Sequence, residues 1–131
     1  MFKLDPYNYV FFTLWIFALH SFGVALGLIL LPSEYLYLFG FEGYSGRFFQ
    51  MQSGVFHIVM ATAYLLAAYN IKKSPILINF AIYVKSIATI FLLTVFIFSS
   101  GWMVLFSAIV DGIFAIVLYF LYKNYQVKFA D

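Results

Sequence analysis

Long apolar segments divide the chain into four parts. Their approximate bounds are residues 9–31, 47–69, 75–98 and 102–122. Each is as long as the roughly 20 residues that a helix needs to cross a hydrocarbon core of about 30 Å. Apolar and polar positions do not alternate in them, as they would in the short strands of a membrane β-barrel. The pattern therefore predicts four transmembrane helices.

The connections between these segments predict how the helices are arranged. The links NIKKSP and SSG are short, which makes sequential helices antiparallel neighbours in an up-down bundle. In the longer aromatic link LPSEYLYLFGFEGYSG, Ser33 as a cap and Gly40 as a stop predict a turn or two of helix over residues 33–39. Asp5 before Pro6 predicts a capped start for the first helix.

Composition agrees with a membrane protein and removes several other classes. Of 131 residues, 66% are hydrophobic and 9% are charged, whereas soluble domains carry about 25% charged residues. We therefore expect one all-α, polytopic four-helix domain over residues 1–131, whose first segment is too long and bulky to be a cleaved signal. The absence of cysteine excludes disulfides and thiolate metal sites, and a net charge of +2 without a dense basic run excludes nucleic acid as a partner.

Lysine and arginine positions predict the orientation of the bundle. Arg47 stands alone on one side, beside Glu34 and Glu42. The residues on the other side are Lys3, Lys72, Lys73, Lys123 and Lys128. Because basic residues are concentrated on the cytoplasmic side of membrane proteins, we expect both termini in the cytoplasm and the aromatic link outside.

Each predicted helix carries one titratable residue within its span: His20, His57, Lys85 and Asp111. At 1.5 Å per residue they lie roughly 14–20 Å from the outer ends of their helices, a scatter of about one turn. Such residues are rare in membrane spans and mark a function or a paired interior contact. Their helical neighbours are mostly small or hydroxyl-bearing, as in membrane helix contacts. We therefore expect all four to face the bundle interior at a common depth.

Lys85 and Asp111 are expected to form an ion pair. Their helices are joined by a tight turn, and an isolated charge at the bilayer centre costs about 2.5–3.5 kcal/mol on insertion scales. A pair compensates much of that cost. It can serve only to set the registry of the helices, or it can be part of a functional centre.

The two histidines leave several chemistries open. His20 and His57 are on antiparallel neighbours at similar depth, which suits satisfied or proton-relaying side chains. A b-type haem held by both rings is a further hypothesis that ranks below those, and a metal site of His20, His57 and Asp111 ranks no higher.

A GxxxG pattern, Gly23 to Gly27, shares the helix face of His20. Small residues at this spacing let membrane helices approach closely. We expect the pattern to be used within the bundle, or else in a homo-oligomer.

A polar stripe opens the second helix. Arg47, Gln50, Gly54 and His57 lie on one face and lead from the outer surface to the midplane, whereas Gln52 points away. Arg47 can be an ordinary interface anchor paired with a glutamate. Alternatively, the stripe can be the wall of a pocket for an amphiphile with a polar head.

Several local features together carry a family resemblance. The first helix ends in LILLP, an aromatic loop EYLYLFGFEG follows, an arginine opens GRFFQMQSGVFH, a lysine lies in YVKSIATIFLL, and Asp-Gly lies in SAIVDGIFAIVLYFLY. In these features the chain resembles the DoxX-like small four-helix membrane proteins of bacteria. The resemblance covers most of the chain. It implies an inner-membrane bundle with a polar interior, which touches a quinone or another lipophile in a redox-linked complex.

Three functions are open at this point, and no catalytic motif decides among them. The first is an accessory or binding subunit for a lipophile such as a quinone. Arg47 and Gln50 would hold its polar head, while His57 and Asp111 would exchange protons. The second is a proton-coupled small transporter or channel with Lys85–Asp111 as its switch, although small multidrug transporters carry a glutamate in the first helix and this chain does not. The third is a purely structural membrane subunit.

Overall fold

The protein is described by a computed structural model that covers residues 5–40, 46–99 and 101–128. Its elements are α1 (Pro6–Leu30), a short 3₁₀ helix (Ser33–Phe39), α2 (Arg47–Tyr69), α3 (Pro75–Ser99) and α4 (Trp102–Lys128). All four long helices are long and apolar enough to cross a membrane. The prediction of an all-α, multi-pass four-helix bundle is therefore confirmed.

The four long helices pack as a ring in chain order. Each contacts its neighbour in sequence, and α1 closes the ring against α4. The contacts within α1–α2 and within α3–α4 are the most extensive. Large apolar side chains such as Phe56, Ile90 and Ile116 are exposed around the outside, as is required of a surface that faces lipid.

The predicted bounds hold for α2 and are too short at the inner ends of α1 and α4. Pro6 opens α1 because its fixed φ suits the first helical position. Beyond residue 122, α4 continues to Lys128 because Leu118, Tyr122 and Tyr125 extend one buried stripe at helical spacing. These residues belong to an apolar core that fills the end of the bundle carrying the termini.

The start of α1 differs from the prediction of a side-chain cap. Asp5 occupies the N-cap position, but its side chain makes no capping hydrogen bond. Its backbone carbonyl accepts from the Asn8 amide at 2.8 Å, and its carboxylate pairs with Lys128 Nζ at 2.9 Å. The carboxylate therefore ties the start of α1 to the end of α4.

The short helix after α1 is present where it was expected, with one correction. Pro32, and not Ser33, is at the N-cap, and no side chain caps this helix. Gly40 ends it in the left-handed region with φ 78°, a conformation that glycine adopts without steric cost. The predicted stop at Gly40 is confirmed, and the predicted cap by Ser33 is wrong.

Glycine permits a close approach between α1 and α2 at Gly54. A Cβ added there would lie 2.6 Å from Ile29 Cγ1 and 3.1 Å from the Ala25 carbonyl oxygen. In contrast, a Cβ at Gly23 would meet nothing within 4 Å, and one at Gly27 would only touch Leu31 at 4.0 Å. The expectation that GxxxG packs within the bundle is therefore wrong, and its use in a homo-oligomer stays a prediction.

Gly54→Ala is expected to destabilise the bundle by about 1–3 kcal/mol, because the added methyl group must displace Ile29 or separate the two helices. Gly23→Ala is the matched control. It adds the same methyl group in open space and gains about 1 kcal/mol of helix propensity. Unfolding of both variants in detergent, followed by far-UV circular dichroism, measures the difference. Equal effects of the two substitutions would contradict the proposed close approach.

Candidate intramembrane ion-pair site

The interior of the bundle contains a buried ion pair between α3 and α4. Lys85 Nζ donates a hydrogen bond to Asp111 Oδ1. The two residues are only 3% and 9% exposed. The predicted Lys85–Asp111 pair is therefore confirmed. An isolated charge in hydrocarbon is costly, so the attraction between Lys85 and Asp111 offsets much of the free-energy cost of burying each charge.

Three aromatic rings surround the Lys85 ammonium. Nζ lies 5.8 Å from the ring centroid of Phe17 on α1, 5.7 Å from that of Tyr64 on α2 and 5.4 Å from that of Phe114 on α4. Rings at such distances attract a cation electrostatically, by about 2 kcal/mol or more when the cation is desolvated. We call these three rings the aromatic cage. All four long helices therefore contribute to one site.

The aromatic cage holds itself together through ring contacts. Phe17 stacks on Phe114 with centroids 4.5 Å apart and packs edge-on against Tyr64 at 5.5 Å. Sequence reasoning missed these residues, although a signal was present. Phe17 precedes His20 by three positions and Phe114 follows Asp111 by three, so each shares a helix face with a residue that was singled out.

His20 carries the one buried polar side-chain atom of the site that has no hydrogen-bond partner among the described residues. Its ring meets Phe114 edge-on with centroids 5.4 Å apart. Its Nδ1 is buried and has no hydrogen-bond partner within the described residues. A buried polar atom without a partner costs about 1–3 kcal/mol, so a water molecule or a polar ligand group bound at this atom would be favourable.

His57 completes the set of four titratable residues. Both histidines are half-buried. His20 contacts Phe114, which also lies against the Lys85 ammonium, and both histidines lie within range of the Lys85 and Asp111 charges. Lys85 and Asp111 thus meet as expected, and the two histidines lie near this buried pair in a more open setting.

Arg47 lies apart from this centre, at the outer end of α1. Its Nη2 donates to the Ile29 carbonyl at 3.1 Å and its Nη1 to the Leu31 carbonyl at 3.3 Å. Of the glutamates considered as partners, Glu42 lies outside the described residues. Glu34 is not paired with Arg47 in the described part of the chain.

Gln50 is fully buried, and its described polar contacts are with the same end of α1 and with the residues that follow it. Its Nε2 donates to the carbonyls of Leu28 at 2.9 Å and Leu31 at 2.7 Å, and its Oε1 accepts from Ser33 Oγ at 2.8 Å. The last carbonyls of a helix have no partner within the helix, and water is scarce at this depth. We call Arg47 and Gln50 the α1 clamp, because they bind the carbonyls that α1 leaves open. Gln52 is exposed, so the prediction that it points away from this stripe is confirmed.

The polar stripe of α2 is therefore mainly a contact with α1. Arg47, Gln50 and Gly54 pack against the last turns of α1, and only His57 reaches the polar centre. A role for the α1 clamp in holding a ligand stays a prediction. It would require a ligand to replace hydrogen bonds that the clamp already makes.

Within residues 5–40, 46–99 and 101–128, no group of three or more histidine or acidic side chains is placed to hold a metal ion. The set His20, His57 and Asp111 thus does not form the metal site that was considered, while the haem hypothesis stays a prediction.

Comparisons with protein-family models, curated proteins and solved structures find no match to this chain, so the DoxX-like resemblance remains a prediction.

Proposed function

We propose that this multi-pass protein binds a lipophilic molecule with a polar head, such as a quinone, at the intramembrane ion-pair site. The observation that carries the proposal is the buried Nδ1 of His20, which has no hydrogen-bond partner in the described part of the chain and lies near the Lys85–Asp111 pair. A site built only to set helix registry gains nothing from an unfilled polar atom. In a site that binds a polar head group, the open nitrogen can form a hydrogen bond with that group.

The residues around His20 have the chemistry that a quinone needs. A quinone carbonyl accepts a hydrogen bond from a ring N–H, and a quinol hydroxyl donates to an unprotonated ring nitrogen. His57 and Asp111 can exchange protons with such a head group as it is reduced or oxidised. Phe114, the half-buried ring of the aromatic cage, meets His20 and offers packing surface for a flat head group, and the surrounding hydrocarbon accepts its tail.

The cellular setting belongs to the same proposal. Four exposed lysines lie at the end of the bundle where the described chain begins and ends: Lys72, Lys73, Lys123 and Lys128. By the positive-inside rule, this concentration of basic residues supports cytoplasmic termini. The DoxX-like features support a bacterial inner membrane and an accessory role in a redox-linked complex with other membrane subunits.

Binding of a short-chain benzoquinone to protein labelled with ¹⁵N-histidine in lipid nanodiscs tests the proposal. The two histidines give separate nitrogen signals, and we expect the quinone to shift the His20 signal most, because its Nδ1 has the open position. His20→Phe keeps a ring against Phe114 but removes the nitrogen, so it should lower quinone affinity about tenfold, the equivalent of one lost hydrogen bond of about 1.4 kcal/mol.

Two results would contradict this proposal. One is a quinone titration that moves neither histidine signal. The other is equal quinone affinity in the wild-type protein and in His20→Phe. Proton flux into protein-containing liposomes without any quinone, lost in Asp111→Asn, would instead favour the transporter alternative.

A further inference from the structure

Two adjoining apolar cavities run along the lipid-facing side of the α1–α2 contact. The first, of about 420 Å³, is lined by residues that include Phe11, Trp15 and Tyr69. The second, of about 340 Å³, shares Trp15 with the first and continues to Phe22 and Thr62. We call the two cavities together the α1–α2 groove.

The length of the α1–α2 groove matches one leaflet of a bilayer. Between Phe11 and Phe22, α1 rises roughly 16 Å at 1.5 Å per residue. The hydrocarbon core is about 30 Å thick, so each leaflet contributes about half of that. An acyl chain that enters at the inner surface and lies along α1 would therefore fill both cavities and end near the midplane.

A positive charge lies at the inner mouth of the α1–α2 groove. Lys72 Nζ is 5.6 Å from the ring centroid of Tyr7. The Tyr7 ring is stacked on Phe11 with centroids 6.4 Å apart, and Phe11 packs edge-on against Tyr69 at 5.7 Å. This chain of contacts connects the ammonium group to the first cavity. Asp5, the described acid at this end, is paired with Lys128.

We infer that the α1–α2 groove binds an anionic phospholipid, with one acyl chain along α1 and the phosphate at Lys72. The groove is apolar over the length of one leaflet, and an ammonium group lies at the level of the head groups. These two features complement an anionic amphiphile, whereas a water-soluble ligand has no apolar chain to fill the groove. A zwitterionic lipid fits the groove equally well but carries its own cation, which competes with Lys72 for the phosphate. The inference uses no residue of the ion-pair site and does not rest on the proposed function.

Trp15 lines both cavities, so its indole ring lies against any chain that occupies the α1–α2 groove. The side chain of a helical residue leans toward the helix N-terminus, which for α1 is the inner surface. A lipid chain that enters from the inner surface and continues to the second cavity therefore passes this ring.

Quenching of Trp15 fluorescence by brominated lipids tests the inference. The chain has two tryptophans, so Trp102→Phe leaves Trp15 as the only tryptophan, whose emission can be excited selectively over that of the tyrosines. In mixed bilayers, phosphatidylglycerol with brominated chains should be preferred over brominated phosphatidylcholine about fivefold, the equivalent of about 1 kcal/mol for one lysine near the surface. Lys72→Gln in that background should reduce the preference to about one.

Two further variants make the test specific. Lys73→Gln removes the same charge from the adjacent residue and should keep the preference for the anionic lipid. Thr62→Phe fills the second cavity with an aromatic ring and should weaken quenching by both brominated lipids, because the chain can no longer continue past Trp15 into the second cavity. Far-UV circular dichroism of each variant verifies that the helices are intact.

Three results would each overturn the inference. One is equal quenching by the anionic and the zwitterionic lipid in Trp102→Phe, which would indicate bulk lipid only. Another is an equal loss of preference in Lys72→Gln and Lys73→Gln, which would indicate a general attraction to a basic surface. The last is unchanged quenching in Thr62→Phe, which would place the chain elsewhere.

Discussion

Asp111→Leu is expected to lower the free energy of unfolding by about 3–5 kcal/mol, whereas Lys85→Met combined with Asp111→Leu should recover most of that loss. The single substitution leaves a buried ammonium without its carboxylate, which is the costly case for a buried pair. The double substitution removes both charges and fills their volume with apolar groups, which is often neutral or stabilising. Unfolding by denaturing detergent, followed by far-UV circular dichroism, measures both variants.

Thr94→Leu is the matched control for this cycle. It also replaces a polar side chain with leucine within a membrane span, but Thr94 is exposed on α3, and its described hydrogen bond is to the Ile90 carbonyl of its own helix. We expect a change within about 0.5 kcal/mol. A double variant as unstable as Asp111→Leu would contradict the expected recovery and would mean that the site depends on the charges themselves.

The same double variant separates the two roles left open for the ion pair. If it folds and still binds a quinone with unchanged affinity, Lys85 and Asp111 set only the registry of α3 and α4. If it folds and loses quinone binding, the pair belongs to the ligand site. Stability alone does not distinguish these roles, because either one requires the same buried contact.

The helices could be predicted from the sequence because hydrocarbon imposes one simple requirement, an apolar segment of sufficient length. That requirement fixes the existence and number of helices but not their inner ends. At residues 122–128, Tyr122 and Tyr125 alternate with polar residues, and hydropathy decreases there. Tyr125 packs against Tyr7 on α1, and Tyr122 stacks on Tyr125. Hydropathy contains no information about such tertiary contacts.

The ion pair could also be predicted, whereas helical spacing places Phe17 and Phe114 only on the faces of His20 and Asp111 and does not identify the aromatic cage. Each helix has one titratable residue at similar depth, and the cost of an isolated charge leaves few arrangements open. Aromatic residues give no such selection, because the chain has 18 phenylalanines and 11 tyrosines. Which three of them surround Lys85 depends on the rotation of every helix in the bundle.

The partner of the polar stripe was hidden for a different reason. The spacing of Arg47 and Gln50 shows that they share a face, and the open question was what that face contacts. Their partners are backbone carbonyls at the end of α1, together with the Ser33 hydroxyl. Carbonyl groups are present at every residue, so a pattern of side chains does not reveal which of them lack a partner.

Gln50→Leu is expected to cost about 2–4 kcal/mol of unfolding free energy, although leucine is more apolar than glutamine. The substitution leaves the Leu28 carbonyl and the Ser33 hydroxyl without their described partner, and the Leu31 carbonyl with only the longer bond from Arg47. Because Gln50 is fully buried, water cannot easily replace it. The measurement is again unfolding by denaturing detergent.

Gln52→Leu makes the same chemical change two positions away, where the side chain is exposed, and should alter stability by no more than about 0.5 kcal/mol. Equal losses of stability in the two variants would contradict the α1 clamp. They would show that α2 is destabilised by a loss of polarity and not by a loss of particular hydrogen bonds.

The pair of variants also tests the earlier hypothesis that Gln50 holds a ligand. A ligand contact at Gln50 predicts weaker quinone binding with the ligand-free stability unchanged, whereas the α1 clamp predicts a loss of stability even when no ligand is present.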